Sequence, residues 1–193
     1  MIDKIIAEID SINSKDPNEE QFEGKAYPKE LIYGQRMTEM LGKYDNAPSV
    51  AMQIAARGQH IQRWAIPRSD YPMDRAGYLK WRTDLKLYHG KLLSEILEQE
   101  GADQELVVKV NDLVTKKRLK NDLETQQLED VVCLVFLKYY FSAFATEHAD
   151  DKVVDIVQKT WGKMTEKGHD LALQLNYAEK DLILIKKALK IIE

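Results

Sequence analysis

The sequence predicts an all-α fold, a single compact multi-helix domain over residues 1–193. Apolar residues recur at steps of three and four along nearly the whole chain, and no stretch sustains the alternation and β-branched richness of a strand. Prolines, glycines and Asn/Asp pairs punctuate the pattern at intervals that suit helices of ordinary length. With 44% apolar residues, 193 residues can bury one core without metals or disulfides.

Ile2, Ile5, Ile6, Ile9 and Ile12 mark a first helix that ends before the turn formers Ser14 to Asn18, and residues 14–27 read as a surface loop. Pro28 suits the first turn of a helix reaching Tyr44, and Pro48 that of a third helix reaching Trp64. Pro67 and Pro72 make the segment from Ala65 to Pro72 a rigid connector, since each also drives its predecessor toward extended geometry. From about Met73 to Gln99, Tyr78, Trp81, Leu85, Tyr88, Leu92 and Ile96 form one apolar stripe, closed by Gly101. Further helices are expected at 103–117, 123–148, 151–174 and 178–192.

Composition excludes several classes. The single cysteine, Cys133, sits in the apolar run Val131–Leu137, so it is expected as a buried thiol and no disulfide framework exists. The start, Met1-Ile2-Asp3-Lys4, lacks the pattern of a secretory signal, and the greasy segment from Val131 to Ala145 is interrupted by Lys138 and too short for a bilayer. A cytoplasmic protein without a membrane anchor is the expectation. A net charge of −4 argues against general nucleic-acid binding.

The mean hides an asymmetry. Five of the seven arginines, Arg57, Arg63, Arg68, Arg75 and Arg82, fall between positions 57 and 82, a stretch with six cations and two carboxylates, Asp70 and Asp74. On a continuous third helix Arg57, His60 and Arg63 lie near one face, with Gln53 and Gln59 close by; on the fourth, Arg75, Arg82 and His89 recur every seven residues. The connector holds the two rows together and adds Arg68. Arginine grips phosphate or carboxylate through paired donors and stays charged when partly desolvated, and Trp64, Tyr71, Tyr78 and Trp81 could stack on a base. An anionic, phosphorylated and even nucleotide-like small molecule fits this chemistry. The competing expectation is a non-catalytic interaction or scaffold domain in which the same arginines pair with Asp70, Asp74, Glu129 and Asp130 as an internal network. The local net charge of +4 leaves RNA as a third, weaker partner.

Glu129-Asp130 precedes an apolar run, so a carboxylate there needs a partner: a metal, His60 or an arginine. His60 and His89 are the two histidines in suitable neighbourhoods, a thin set for a transition metal. His169-Asp170 reads as a surface or helix-contact pair, His148 as a complement to a helix end, and the lysine-rich C-terminal helix as core closure rather than a membrane or partner surface.

The segments Ala55-Ala56-Arg57-Gly58-Gln59-His60-Ile61-Gln62-Arg63-Trp64, Ile66-Pro67-Arg68, Gly77-Tyr78-Leu79-Lys80-Trp81-Arg82 and Leu128-Glu129-Asp130-Val131 resemble an uncharacterised bacterial and fungal family, a domain of unknown function, from about residue 28 to 175. More distantly, the chain is similar to the histidine-aspartate phosphohydrolases, with Ala55-Ala56 leading to Gln59-His60 in place of the His-Asp pair, Asp130 at the later aspartate and Arg36 near the first histidine. That likeness implies a helical bundle of their kind and a metal-assisted phosphohydrolase. His60 and Asp130 would then be the catalytic pair and the ligands of a divalent metal, with His60 as acid/base. Arg57, Gln59, Arg63, Arg68, Arg75, Arg82, Trp64, Trp81 and His89 would bind the ligand. Glutamine or arginine stands where the other metal-binding histidines belong, and fold does not fix function.

Overall fold

A computed structural model describes residues 1–117, 119 and 121–191. The chain is all-α apart from one hairpin, with ten α-helices among the described residues. It divides into two compact units, Met1–Thr125 and Gln126–Glu193.

The first unit opens with α1 (Ile2–Asn13), whose Ile5 and Ile9 are fully buried. The expected loop at 14–27 is instead partly ordered as β1 (Glu19–Phe22) paired antiparallel with β2 (Lys25–Pro28), with Glu20 opposite Tyr27. The two-residue turn Glu23-Gly24 has both φ values positive, +50° and +76°, the backbone that matches the twist of a hairpin. Composition hides these strands because they lack β-branched residues; what holds them is tertiary. Arg36 from α2 (Lys29–Tyr44) pairs with Glu20 and lies 4.7 Å over the Phe22 ring.

Proline 28 caps α2 without a side-chain bond, and a remote carboxylate satisfies the helix entry. Asp16 Oδ2 accepts from the Glu30 amide at 3.0 Å. Gly34 then lets α2 approach α3 (Val50–Arg57) closely, since a Cβ there would meet the Arg57 carbonyl oxygen at 2.7 Å. Ser49 caps α3 through the Met52 amide.

The helix expected to reach Trp64 stops at Arg57. Tertiary hydrogen bonds replace the helical ones: the Gln62 amide donates to Asn13 Oδ1 at 2.9 Å, and the Ile61 carbonyl faces His89 Nδ1 at 2.8 Å. Gly58 fits against Leu93 with no room for a Cβ, Ile61 is fully buried, and Gln62 adopts the left-handed conformation at φ +49°. Single 3-10 turns at Arg63–Ala65 and Arg68–Asp70 complete the connector, which has no regular α-helix, as its prolines predict.

Asp74 caps the long α4 (Arg75–Gln99), which ends near Gly101 at φ +75°. Its buried row is Leu85, His89, Leu93, Ile96 and Leu97, which keeps Leu85 and Ile96 of the expected stripe but is rotated from the rest of it: Tyr78 is exposed and Trp81, Tyr88 and Leu92 are half-buried. The rotation follows from Gly90, where α4 meets Asn111 and Thr115 of α5 (Gln104–Thr115). Asp103 caps α5 and Lys116 ends it in the left-handed conformation.

The helix α6 (Leu123–Val135) begins in the first unit and continues into the second, where a π-helical stretch, Phe136–Tyr140, and α7 (Phe141–Glu147) replace the single helix expected at 123–148. The helix expected at 151–174 is likewise two, α8 (Asp150–Trp161) and α9 (Glu166–Leu173), divided where Thr165 caps the second. In this unit α10 (Glu179–Ala188) packs on α7 and α8, closing a core that includes Val153, Val157 and Ile185; the expected terminus at Ile192 lies outside the described residues. Cys133 is buried with its thiol toward the Thr160 carbonyl. Among the described residues no helix is long and apolar enough to cross a membrane.

Three glycine substitutions test this packing by urea unfolding. Gly34→Ala and Gly77→Ala, whose Cβ would meet backbone oxygens at 2.7 and 2.1 Å, should each lose about 1–3 kcal/mol. Gly42→Ala, with open space around it in α2, should gain about 0.5–1 kcal/mol.

Candidate functional site

In the first unit the turn after α3 carries His60 against the start of α2. Asn13 makes the junction: its side chain is 1% exposed, it donates to the Glu30 carbonyl at 3.4 Å, and its oxygen accepts from the Gln62 amide. Glu30 and Tyr33, three apart on one face of α2, therefore meet His60. The Tyr33 and His60 rings stack at 4.0 Å, only 10° from parallel.

Glu30 Oε2 lies 3.2 Å from His60 Nδ1, and Arg63 Nη1 lies 2.9 Å from His60 Nε2. A guanidinium can only donate, so Nε2 is the accepting nitrogen and the proton of the neutral ring sits on Nδ1, facing the carboxylate. Burial, then the charges of Arg63, Lys116, Arg82 and Lys29, hold His60 well below the ordinary histidine value. Burial raises Glu30 above the ordinary carboxylate value, with Arg63, Lys29 and His89 pulling it back. His89, 2% exposed and with its ring centroid 6.1 Å from that of His60, is pushed down to about 3, mainly by burial.

The other cations divide into two groups. Arg63 also stacks over Trp81 at 4.9 Å, and Trp81 Nε1 donates to the Ile66 carbonyl at 2.9 Å. Arg75 and Arg82 are exposed on α4, on the azimuth that His89 occupies further along the helix; Arg82 lies 5.9 Å over the Tyr78 ring. By contrast Arg57 is held by Asp10, through Nε to Oδ1 at 2.7 Å and Nη2 to Oδ2 at 2.5 Å. Arg68 donates to the carbonyls of Tyr71, Pro72 and Asp74 and so folds the connector on itself. The single-face row of Arg57, His60 and Arg63 is thus corrected: α3 ends between them. Within the cluster, Asp10 pairs with Arg57 and Glu30 lies 3.9 Å from Arg63, two carboxylates that the sequence did not single out.

Trp64 is half-buried in the first 3-10 turn, and Gln59 is 5% exposed with its Oε1 lacking a hydrogen-bond donor. Asp130 belongs to the second unit and is fully buried. There it accepts from Thr165 through both amide and hydroxyl and from Gln126, a local arrangement that steadies the start of α9. His169 stacks on Trp161 at 4.2 Å, and His148 on Phe144 at 4.2 Å.

The residues present do not fit a divalent metal on His60 and Asp130. A guanidinium faces the His60 lone pair, both Asp130 oxygens accept from Thr165, and no group of three or more His, Cys, Asp or Glu side chains among the described residues could hold a metal. Glu30, Tyr33, Lys29 and Lys116 escape sequence reading because no motif joins them to His60; the spacing of Glu30 and Tyr33 on α2 is the only local signal.

A family model described as a domain of unknown function, DUF4202, matches residues 3–185. The chain belongs to the DUF4202 family. The match is wider than the stretch from 28 to 175 on which the sequence resemblance rests. No curated protein and no solved structure matches this DUF4202 chain.

The buried imidazoles make stability pH-dependent with a definite sign. Between roughly 6.5 and the folded value near 3, the unfolded chain binds the His89 proton that the folded form refuses, so stability falls as pH drops through this window. Urea unfolding at pH 7 and pH 5 should show the DUF4202 domain losing about 2 kcal/mol more than its His89→Gln variant. Equal losses would contradict the buried neutral state.

Proposed function

We propose that this protein binds a phosphorylated small molecule beside His60, with Arg63 and Arg82 as the main donors to its phosphoryl group. One observation carries the reading: four cations, Arg63, Lys116, Arg82 and Lys29, bear on a neutral His60 that faces a single carboxylate. Such an excess of positive charge in a partly desolvated place favours an anion, and guanidinium groups match phosphoryl oxygens in pairs. Of the five clustered arginines, Arg57 is held by Asp10 and Arg68 by connector carbonyls, and the charges that act on His60 are those of Arg63 and Arg82, so the binding role contracts to these two. Trp81 orients Arg63 by its ring, and Tyr33 fixes the plane of His60.

The same groups can assist hydrolysis. With Arg63 drawn from Nε2 onto a bound phosphoryl group, the charge that most lowers the basicity of His60 is removed. His60 Nε2 then takes a proton from the attacking water as that oxygen bonds to phosphorus and returns it to the departing ester oxygen as the phosphorus–ester bond breaks, while Glu30 holds Nδ1–H and stabilises the imidazolium. In this chemistry Glu30 takes the part that the histidine-aspartate resemblance gave to Asp130.

A second reading rests on the Asp10 pairing of Arg57 and the carbonyl bonds of Arg68, which suit a scaffold whose arginines are structural. The two separate cleanly. Inorganic phosphate and a panel of phosphate esters should raise the thermal midpoint of the wild type, while Arg63→Ala and Arg82→Ala each weaken affinity by about tenfold or more, as loss of a charge-assisted bond requires. No stabilisation by any member, with both variants merely less stable, would leave the scaffold.

A further inference from the structure

Two helices, one in each unit, leave an apolar side chain exposed between charges. The inner face of α5, with Val107, Val110, Leu113 and Val114, is buried, and α5 packs on α3 and α4. On its outer side Val108 is 47% exposed, with Glu105 three residues before it and Asp112 four after, so the three form one stripe. In α10 Ile185 and Ala188 are buried and Ile183 is 52% exposed, with Lys180 three residues before it and Lys187 four after. The two stripes have the same spacing and opposite charge.

Their surroundings carry the contrast further. Glu105, Val108 and Asp112 line an open cavity of about 880 Å³ in the first unit, together with Asp103, Asp122 and Glu124. Its five carboxylates outnumber the cations beside them: Lys109 is shared by Asp122 and Glu124 at 2.8 Å each, and Lys117 lies 3.3 Å from Asp112. Counting the Met1 amino group leaves the sign unchanged. The helix starts at this cavity are capped from within, since Ser49, Asp103 and Asp122 accept from the amides of Met52, Leu106 and Thr125. On α10 the exposed charges are Lys180, Lys187 and, just beyond the helix, Lys190, against Glu179. Glu105, Lys180 and Lys187 form no ion pair among the described residues.

We propose that α10 of one copy of this chain docks along α5 of a second copy, with Ile183 on Val108 and with Lys180 and Lys187 against Glu105 and Asp112. A parallel alignment brings all three pairs into register, and each helix covers what the other leaves open, an apolar side chain between like charges. Because the two surfaces differ, the contact is heterologous and adds copies head to tail. The association is weak and salt-sensitive, since exposed ion pairs contribute little and the apolar area is small.

Sedimentation velocity of the full chain over the micromolar to millimolar range tests this. At low salt the wild type should move to larger species as concentration rises, and at about 1 M salt, where the Debye length is about 3 Å, the shift should largely vanish. Glu105→Lys and Lys187→Glu, both at exposed positions, should stay folded and each weaken association by about fivefold or more, as reversal of an exposed charge implies. An equimolar mixture of the two should associate as tightly as the wild type and stop at a heterodimer. The intact α10 of the first fits the intact α5 of the second, while the two altered surfaces set lysine against lysine and acid against acid. A wild type that stays monomeric at low salt, association that survives both substitutions, or a mixture no tighter than either variant alone overturns the proposal. So does binding of an amphipathic lysine–leucine peptide at Glu105 by a wild type that never self-associates, which would give the α5 face to a different basic partner.

Discussion

The Asn13 side chain is the joint on which the first unit turns. Fully buried at the end of α1, it bonds the main chain of Glu30 on one side and of Gln62 on the other. A single amide can do this because it offers a donor and an acceptor on the same planar group, and a buried amide left half-used would be expensive. Its two bonds draw the first turn of α2 and the turn after α3 together. The pairing of Glu30 with His60 and the stacking of Tyr33 on His60 then follow from geometry already fixed by the main chain.

Ending α3 at Arg57 has electrostatic consequences. A helix continued to Trp64 would put Arg57, His60 and Arg63 on one solvent-facing row, each screened by water. In the folded chain the row is broken: Arg57 goes to Asp10, and His60 turns inward beneath Arg63, beside the buried His89. Burial makes both imidazoles poor bases, and the surrounding cations depress His60 further. The resulting site holds its polar groups in positions fixed by packing, which is the condition under which preorganised charges act most strongly.

Much of the scaffold was legible in the chain. The starts of α2 and α4, the stop at Gly101 and the irregular connector all follow from proline, glycine and capping residues acting within a few positions. The failures share a cause. The hairpin at Glu19–Pro28 depends on Arg36, the early end of α3 on Asn13 and His89, and the rotation of α4 on its contact with α5 at Gly90. Each is a long-range contact that outweighs local preference, and periodicity along one segment carries no record of it. Of the residues gathered around His60, Arg63, Trp81, Arg82 and His89 came from composition and spacing, whereas the contacts of Glu30 and Tyr33 with His60 needed the fold.

The central claim is that the cationic surroundings of a neutral His60 receive a phosphoryl group. Imidazole nitrogen-15 resonances followed during titration with a phosphate ester report on that atom directly. Saturable movement of the His60 Nε2 resonance, as Arg63 leaves it for the ligand, is the expected result, with the Tyr33 ring protons responding in parallel. A His60 spectrum unchanged at saturating ester would contradict the account.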